Sequence, residues 1–187
     1  LQHFDVDTPL VISTMSDLPA ASGMGSSSSF AVGLVSALNQ LFSFGISDLG
    51  VAEVAFAIER SIPGSLAGRQ DMYAAVFGGL NLFEFGDSVK CSHVACSDML
   101  VNRFFPSMRL AWTGTQRQSS TILASQISLK DEKLPLYRQM KNLAYEGFEL
   151  VNDMQNISSI KRFGALLERN AELKYELSPS IFPDSLK

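Results

Sequence analysis

A glycine- and serine-rich loop that runs directly into a helical pattern constrains this chain more than any other feature. Gly23 and Gly25 lie just before the four consecutive serines at positions 26–29. Glycine adopts backbone conformations that other residues avoid, so it lets the chain come close to a ligand. The serines supply hydroxyl groups where the first N–H groups of a helix are unpaired and favour negative charge. The segment therefore predicts a phosphate-binding loop at the start of a helix.

Apolar residues after the loop recur with the spacing of a helix over residues 25–42. The predicted apolar face consists of Phe30, Leu34, Leu38, Leu41 and Phe42. Because this periodicity begins immediately after the serines, it favours a loop anchored to a core over a flexible glycine–serine linker.

Three common motifs of nucleotide-binding and hydrolytic enzymes do not match the loop. A Walker P-loop requires a lysine, and no lysine occurs between Leu1 and Val89. A dinucleotide-binding fingerprint requires a third glycine where this chain has Ser28. The Gly-x-Ser-x-Gly pentapeptide of hydrolases does not occur in the sequence. The loop therefore indicates an anion-binding site of another kind.

Two carboxylates on adjoining segments favour phosphoryl transfer. Glu59 ends an apolar, helix-like run, and Asp71 follows the break at Pro63 and Gly64. Phosphoryl transfer needs an oxygen ligand for a hard cation and a group that orients or deprotonates the attacking hydroxyl. Glu59 and Asp71 are the candidates for these two tasks. In the alternative interpretation, Glu59 lies at a solvated helix end and Asp71 caps the next helix.

The pattern Pro-x-x-x-Gly-Met-Gly-Ser-Ser at residues 19–27 resembles the second motif of the GHMP kinases, which include galactokinase and the homoserine, mevalonate and phosphomevalonate kinases. The resemblance implies that the loop binds the phosphates of ATP through Pro19, Gly23, Met24, Gly25, Ser26, Ser27 and Ser28. It also implies that Ser27 and Glu59 hold Mg²⁺ and that Asp71 is the catalytic aspartate.

Within this family, residues 68–79 are similar to a segment of the D-glycero-D-manno-heptose 7-phosphate kinases. The three differing positions are Arg69, Met72 and Val76. Arg69 keeps the charge of the subfamily's lysine but not its geometry. Residues 112–126 also resemble the segment that opens the second domain in that subfamily.

The resemblance implies an ATP-dependent sugar kinase that phosphorylates the anomeric hydroxyl of a heptose 7-phosphate, with Arg69 and Arg117 as weaker candidates for substrate contacts. Another GHMP small-molecule kinase, or a catalytically inactive nucleotide-binding relative, is an alternative. A third alternative is an anion-binding domain that binds no nucleotide, in which the serines only cap a helix.

The expected fold class is α+β, namely the two-layer GHMP kinase fold. The N-terminal part is expected to resemble ribosomal protein S5 domain 2, and the C-terminal part to be partly ferredoxin-like. Pro106 marks the predicted domain boundary, so that residues 1–105 form the ATP-binding domain without its first strands and residues 106–187 an incomplete C-terminal domain. The first and third family motifs do not occur, so an internal fragment without kinase activity of its own is expected.

The local patterns predict both helices and strands. The predicted strands are residues 6–14, 79–85, 89–95 and 108–113, of which the middle two form a hairpin. The predicted helices are residues 25–42, 47–60 and 71–77 and most of the chain from Gln118 onward.

Composition favours a small-molecule partner, and the family resemblance implies that this partner is a sugar phosphate. The net charge of −4 argues against a nucleic-acid partner, which would require a basic surface. No apolar run of about 18 residues predicts a membrane span, and no signal peptide is indicated. Side chains five positions apart on a strand point to opposite faces, which argues against a metal site at Cys91, His93 and Cys96. Reduced thiols and a cytoplasmic location are expected, and a homodimer is a possible assembly.

Overall fold

The computed structural model describes residues 2–17, 23–111 and 132–181. These residues belong to two compact units, one ending at Val76 and the other beginning at Phe77. The domain boundary at Pro106 stays a prediction.

The first unit is helical. Its helices are α1 (Ser26–Phe42), α2 (Asp48–Ser61) and α3 (Gln70–Phe77), the last of which runs to the unit boundary, and a 3-10 turn (Gln2–Phe4) precedes them. The Ser47 hydroxyl accepts a hydrogen bond from the Gly50 N–H at 3.3 Å and caps α2. All three helices were predicted to within one residue at each end.

The strand predicted over residues 6–14 is not formed. Residues 9–16 have no regular secondary structure, and Val11 is fully exposed. A strand is stable only when a neighbouring strand accepts and donates its backbone hydrogen bonds. The described residues of the first unit offer no such neighbour, so the alternating sequence pattern remains unpaired.

Helix α1 packs on α2 through a face that differs from the predicted one. The buried apolar residues of this contact are Val32, Val35 and Leu38 on α1 and Val51, Ala52 and Ala55 on α2. The two alanines let the helices approach closely. Of the predicted face only Leu38 is buried, whereas Phe30 and Leu41 are 52% and 63% exposed. Phe30 and Leu34 instead line an apolar groove of about 240 Å³ with Phe4, Ile58 and Ile62.

The second unit contains the hairpin that the sequence predicts. Strands β1 (Asn81–Phe85) and β2 (Val89–His93) pair antiparallel, with Phe83 opposite Cys91. A π-helical turn (Leu100–Phe104), α4 (Phe105–Ser107), α5 (Leu134–Asn152), α6 (Ile157–Leu177) and a 3-10 turn (Pro179–Ile181) follow. Residues 108–111 form no strand, contrary to prediction, and residues 112 and 113 lie outside the described residues.

The core of the second unit joins the hairpin end to the helices. Its buried residues are Val94, Leu100, Phe104, Val151 and Met154. The rings of Phe104 and Phe163 meet edge to face, with centroids 5.1 Å apart. Helices and one small sheet fit the α+β class, while the detailed two-layer fold stays a prediction. Among the described helices, none has the length and apolar character needed to cross a membrane.

Candidate functional site

Three helix ends converge in the first unit, and each carries one of the predicted site residues. Ser27 lies in the first turn of α1, Glu59 in the last turn of α2, and Asp71 in the first turn of α3. The structure therefore brings the serine loop together with Glu59 and Asp71, which lie 32 and 44 positions after Ser27 in the sequence.

The loop has the backbone conformation that its glycines predict. Gly23 and Gly25 have φ angles of 75° and 68°, in the left-handed region that favours glycine. Gly25 is the N-cap of α1, and no side chain caps the helix. The Ser29 N–H donates to the Gly25 carbonyl at 2.9 Å and forms the first intrahelical bond. The N–H groups of residues 26–28 therefore have no helical acceptor, and an anion at this end would satisfy them.

Ser27 and Glu59 form the central contact of the site. The Ser27 hydroxyl donates a hydrogen bond to Glu59 Oε1 at 3.1 Å. This bond joins the start of α1 to the end of α2 and fixes a hydroxyl and a carboxylate side by side. The family resemblance predicts that these two residues hold the same metal ion, and the structure places them in direct contact.

The second carboxylate oxygen of Glu59 is buried and unsatisfied. Glu59 Oε2 is shielded from solvent and has no hydrogen-bond partner in the described part of the chain. A buried polar atom without a partner costs about 1–3 kcal/mol, and more when it is charged. Such an atom is expected at a ligand site, where the missing partner is supplied on binding.

Asp71 lies against the loop. A Cβ atom built on Gly25 would be 3.9 Å from the Cβ, Cγ and Oδ2 atoms of Asp71. Gly25 thus lets the loop backbone approach the carboxylate without an intervening side chain. The Asp71 side chain is exposed and has no hydrogen-bond partner among the residues that the structure describes. It therefore does not cap α3, and its oxygens are open to a ligand.

The surroundings of Asp71 contain a cluster that the sequence did not predict. Glu53 on α2 accepts a hydrogen bond from the Tyr73 hydroxyl through Oε1. The Arg69 Nε atom lies 3.5 Å from the same oxygen, and the Arg69 guanidinium lies 5.2 Å from the centre of the Phe56 ring. Arg69 is thus held against α2, and its contact with substrate stays a prediction. In the sequence, Glu53 was recognisable only as an acidic residue nearly two helical turns before Glu59.

The remaining predicted loop residues differ in exposure. Ser28 is buried, Ser26 is half-buried, and Met24 is 43% exposed. Pro19 and Arg117 lie outside the described residues. Phosphate binding by these residues stays a prediction.

Both cysteines belong to the second unit. Cys91 and Cys96 are both free thiols, and Cys91 Sγ lies 3.7 Å from Asn81 Oδ1. Burial raises the pKa of the Cys91 thiol, which keeps it protonated. Over the described ranges, no group of three or more His, Cys, Asp or Glu side chains is arranged to hold a metal.

Comparison with known proteins supports the family resemblance. Residues 1–79 match the family described as GHMP kinases N terminal domain. The chain is 33% identical over 110 residues to D-glycero-alpha-D-manno-heptose 7-phosphate kinase of Campylobacter jejuni. This match covers 59% of this chain and 29% of that protein. It is 42% identical over 62 residues to galactokinase of Pyrococcus furiosus. That match covers 33% of this chain and 18% of the galactokinase.

A third relative is a mevalonate kinase of Saccharolobus solfataricus, which is 30% identical over 86 residues. That match covers 46% of this chain and 27% of the relative. The chain thus spans less than a third of the length of each of these curated relatives. The serine loop, Glu59 and Asp71 all lie within residues 1–79, the part of the chain that matches the GHMP kinase N-terminal domain.

Proposed function

We propose that this chain is part of an ATP-dependent phosphotransferase that transfers the γ-phosphate of ATP to a hydroxyl of a sugar phosphate. The observation that carries the proposal is the contact between Ser27 and Glu59, beside the unpaired N–H groups of α1 and within the same three-helix site as Asp71. Donors for phosphate, oxygen ligands for a cation and a free carboxylate are the groups that phosphoryl transfer requires.

The donor set fits Mg²⁺. Magnesium binds oxygen ligands and is usually held by one or two carboxylates together with substrate phosphates and water. The Ser27 hydroxyl and the unsatisfied Glu59 Oε2 supply such oxygens. Mg²⁺ held by these residues would neutralise charge on the phosphates of ATP.

Each protein group has a separate task in the proposed mechanism. The N–H groups of residues 26–28 bind phosphate oxygens at the positive end of α1. Glu59 holds Ser27 in place through their hydrogen bond. Asp71 accepts a hydrogen bond from the acceptor hydroxyl and orients it toward the γ-phosphate. Asp71 takes the proton as the new O–P bond forms, while the bond between the γ-phosphorus and the β–γ bridging oxygen breaks and ADP leaves. Most of the rate acceleration then comes from the placement of reactants and charges.

We further propose that the acceptor is the anomeric hydroxyl of D-glycero-D-manno-heptose 7-phosphate. The longest of the three reported matches is to a heptose 7-phosphate kinase, and residues 68–79 around Asp71 resemble that subfamily. The shorter matches to a galactokinase and a mevalonate kinase leave other small-molecule kinases as the second candidate.

Replacement of Ser27 by alanine tests the role of the loop. We expect Ser27→Ala to lower kcat/KM for Mg·ATP by about 10- to 100-fold, since a hydrogen bond to a charged group contributes about 1.5–3 kcal/mol. The fold should persist, because Ser27 is exposed. The measurement is kcat/KM over a magnesium titration of the full-length protein. Ser29→Ala is the matched control, and equal kcat/KM for Ser27→Ala and wild type would remove Ser27 from the site.

A further inference from the structure

One carboxylate oxygen on α2 holds the two side chains that flank Asp71. Glu53 Oε1 accepts the hydroxyl hydrogen bond of Tyr73 and lies 3.5 Å from Arg69 Nε. Arg69 precedes Asp71 by two residues, and Tyr73 follows it by two. Glu53 therefore contacts one residue before and one residue after the candidate catalytic residue, at the start of α3.

Further contacts attach the first turn of α3 to its surroundings. The Tyr73 N–H donates to the Arg69 carbonyl at 3.2 Å, which closes the turn around Asp71. Tyr73 is 1% exposed and Met72 is fully buried, so the turn is also fixed by packing. The Arg69 guanidinium stacks on Phe56, which lies on α2 one turn after Glu53.

Asp71 itself has no such attachment. Within the described ranges its carboxylate has no hydrogen-bond partner, so the backbone turn that carries it sets its position. A shift of about 1 Å in a group that aligns reactants costs up to about 100-fold in rate. The residue that fixes this turn therefore controls where the carboxylate meets the acceptor hydroxyl.

We propose that Glu53 is a positioning residue, which holds Asp71 at the acceptor hydroxyl by anchoring Arg69 and Tyr73 to α2. This inference rests on the proposed function. Glu53 and Glu59 lie six residues apart on the same helix, so α2 fixes the Asp71 turn with one carboxylate and binds the cation with the other.

The ionisation of Tyr73 is consistent with this arrangement. Burial, and then the hydrogen bond to Glu53, raise the pKa of Tyr73 to about 12. The hydroxyl therefore stays protonated and remains a donor to Glu53 throughout the neutral pH range.

Two substitutions of Glu53 separate positioning from charge. Glu53→Ala removes the acceptor, and we expect kcat to fall by about 10-fold while KM for Mg·ATP stays within about twofold. Glu53→Gln keeps an oxygen that accepts the Tyr73 hydrogen bond, so it should retain kcat to within about threefold. If Glu53→Ala does not fold, Tyr73→Phe makes the same test, since it removes only the hydroxyl donor and keeps the buried ring.

The decisive comparison is made in the Asp71→Asn background of the full-length protein. If Glu53 acts through Asp71, Glu53→Ala causes no further loss of kcat once the carboxylate is gone. The inference is overturned if Glu53→Ala leaves wild-type kcat unchanged, or if it lowers kcat equally in both backgrounds. An Asp71→Asn protein that turns over at the wild-type rate would instead overturn the catalytic role of Asp71, and a wild-type protein that transfers no phosphate would overturn the proposed function, so the failures are distinguishable.

Discussion

The Asp71→Asn protein is expected to bind Mg·ATP with wild-type affinity and to turn over at least about 100-fold more slowly. Asparagine keeps the size of the side chain but cannot take a proton from the acceptor hydroxyl, and the loss of a general base costs about 10²-fold or more. Because Asp71 contacts the acceptor and not the nucleotide in this account, the loss should appear in kcat and not in nucleotide affinity. The measurement is ATP affinity and kcat on one preparation of the full-length protein.

The alternative role of Asp71 predicts the opposite result. If Asp71 only capped α3, asparagine would replace it well, since the two residues are about equally good caps. The structure already disfavours that role, because no hydrogen bond from any described residue reaches the Asp71 carboxylate. Asp48→Asn is the matched control, since Asp48 lies in the first turn of α2, at the opposite end of that helix from Glu59. A kcat near the wild-type value for Asp71→Asn would refute the catalytic assignment.

The Glu59→Gln protein is expected to lose about 100-fold in kcat/KM for Mg·ATP and to need more magnesium for half-maximal activity. Glutamine lacks the charge that holds a hard cation, and loss of an interaction with a charged group costs up to about 3 kcal/mol. Steady-state rates over a magnesium titration measure this effect.

The same substitution should leave the melting temperature unchanged or raised. Glu59 Oε2 is buried without a partner, and a neutral amide costs less to bury than a carboxylate. Glu168→Gln is the control for removing a glutamate charge, because Glu168 is an exposed residue of α6 in the second unit. A Glu59→Gln protein with the magnesium dependence of the wild type would place the cation elsewhere.

The helices of the first unit were predictable because their signals are local. Ser47 caps α2 with its own hydroxyl, and Gly25 starts α1 with a positive φ angle. The packing face of α1 was not predictable, since Phe30 and Leu34 have the same periodic pattern as Val32 and Val35. The buried face of α1 is the one that contacts Val51, Ala52 and Ala55 of α2, and those residues lie in another segment of the sequence.

The proximity of the candidate site residues was predictable where a short motif contains them, while their roles stay predictions. The serine loop, Glu59 and Asp71 were identified from spacing and from family resemblance, and the structure brings them together. Glu53 was missed because its partners, Arg69 and Tyr73, are recognisable only after α2 and α3 have packed. The strand over residues 6–14 failed for a similar reason, since strand pairing depends on a partner that local sequence does not specify.

Phosphoryl transfer from ATP to a small-molecule hydroxyl is tested by measuring where the γ-phosphate goes. The full-length protein is supplied with γ-labelled ATP, with and without Mg²⁺, and with D-glycero-D-manno-heptose 7-phosphate, galactose, mevalonate or homoserine as the acceptor. The account predicts Mg²⁺-dependent transfer of the label, with the heptose 7-phosphate labelled at its anomeric hydroxyl in preference to the other acceptors. A folded protein that transfers label to none of these acceptors would contradict it.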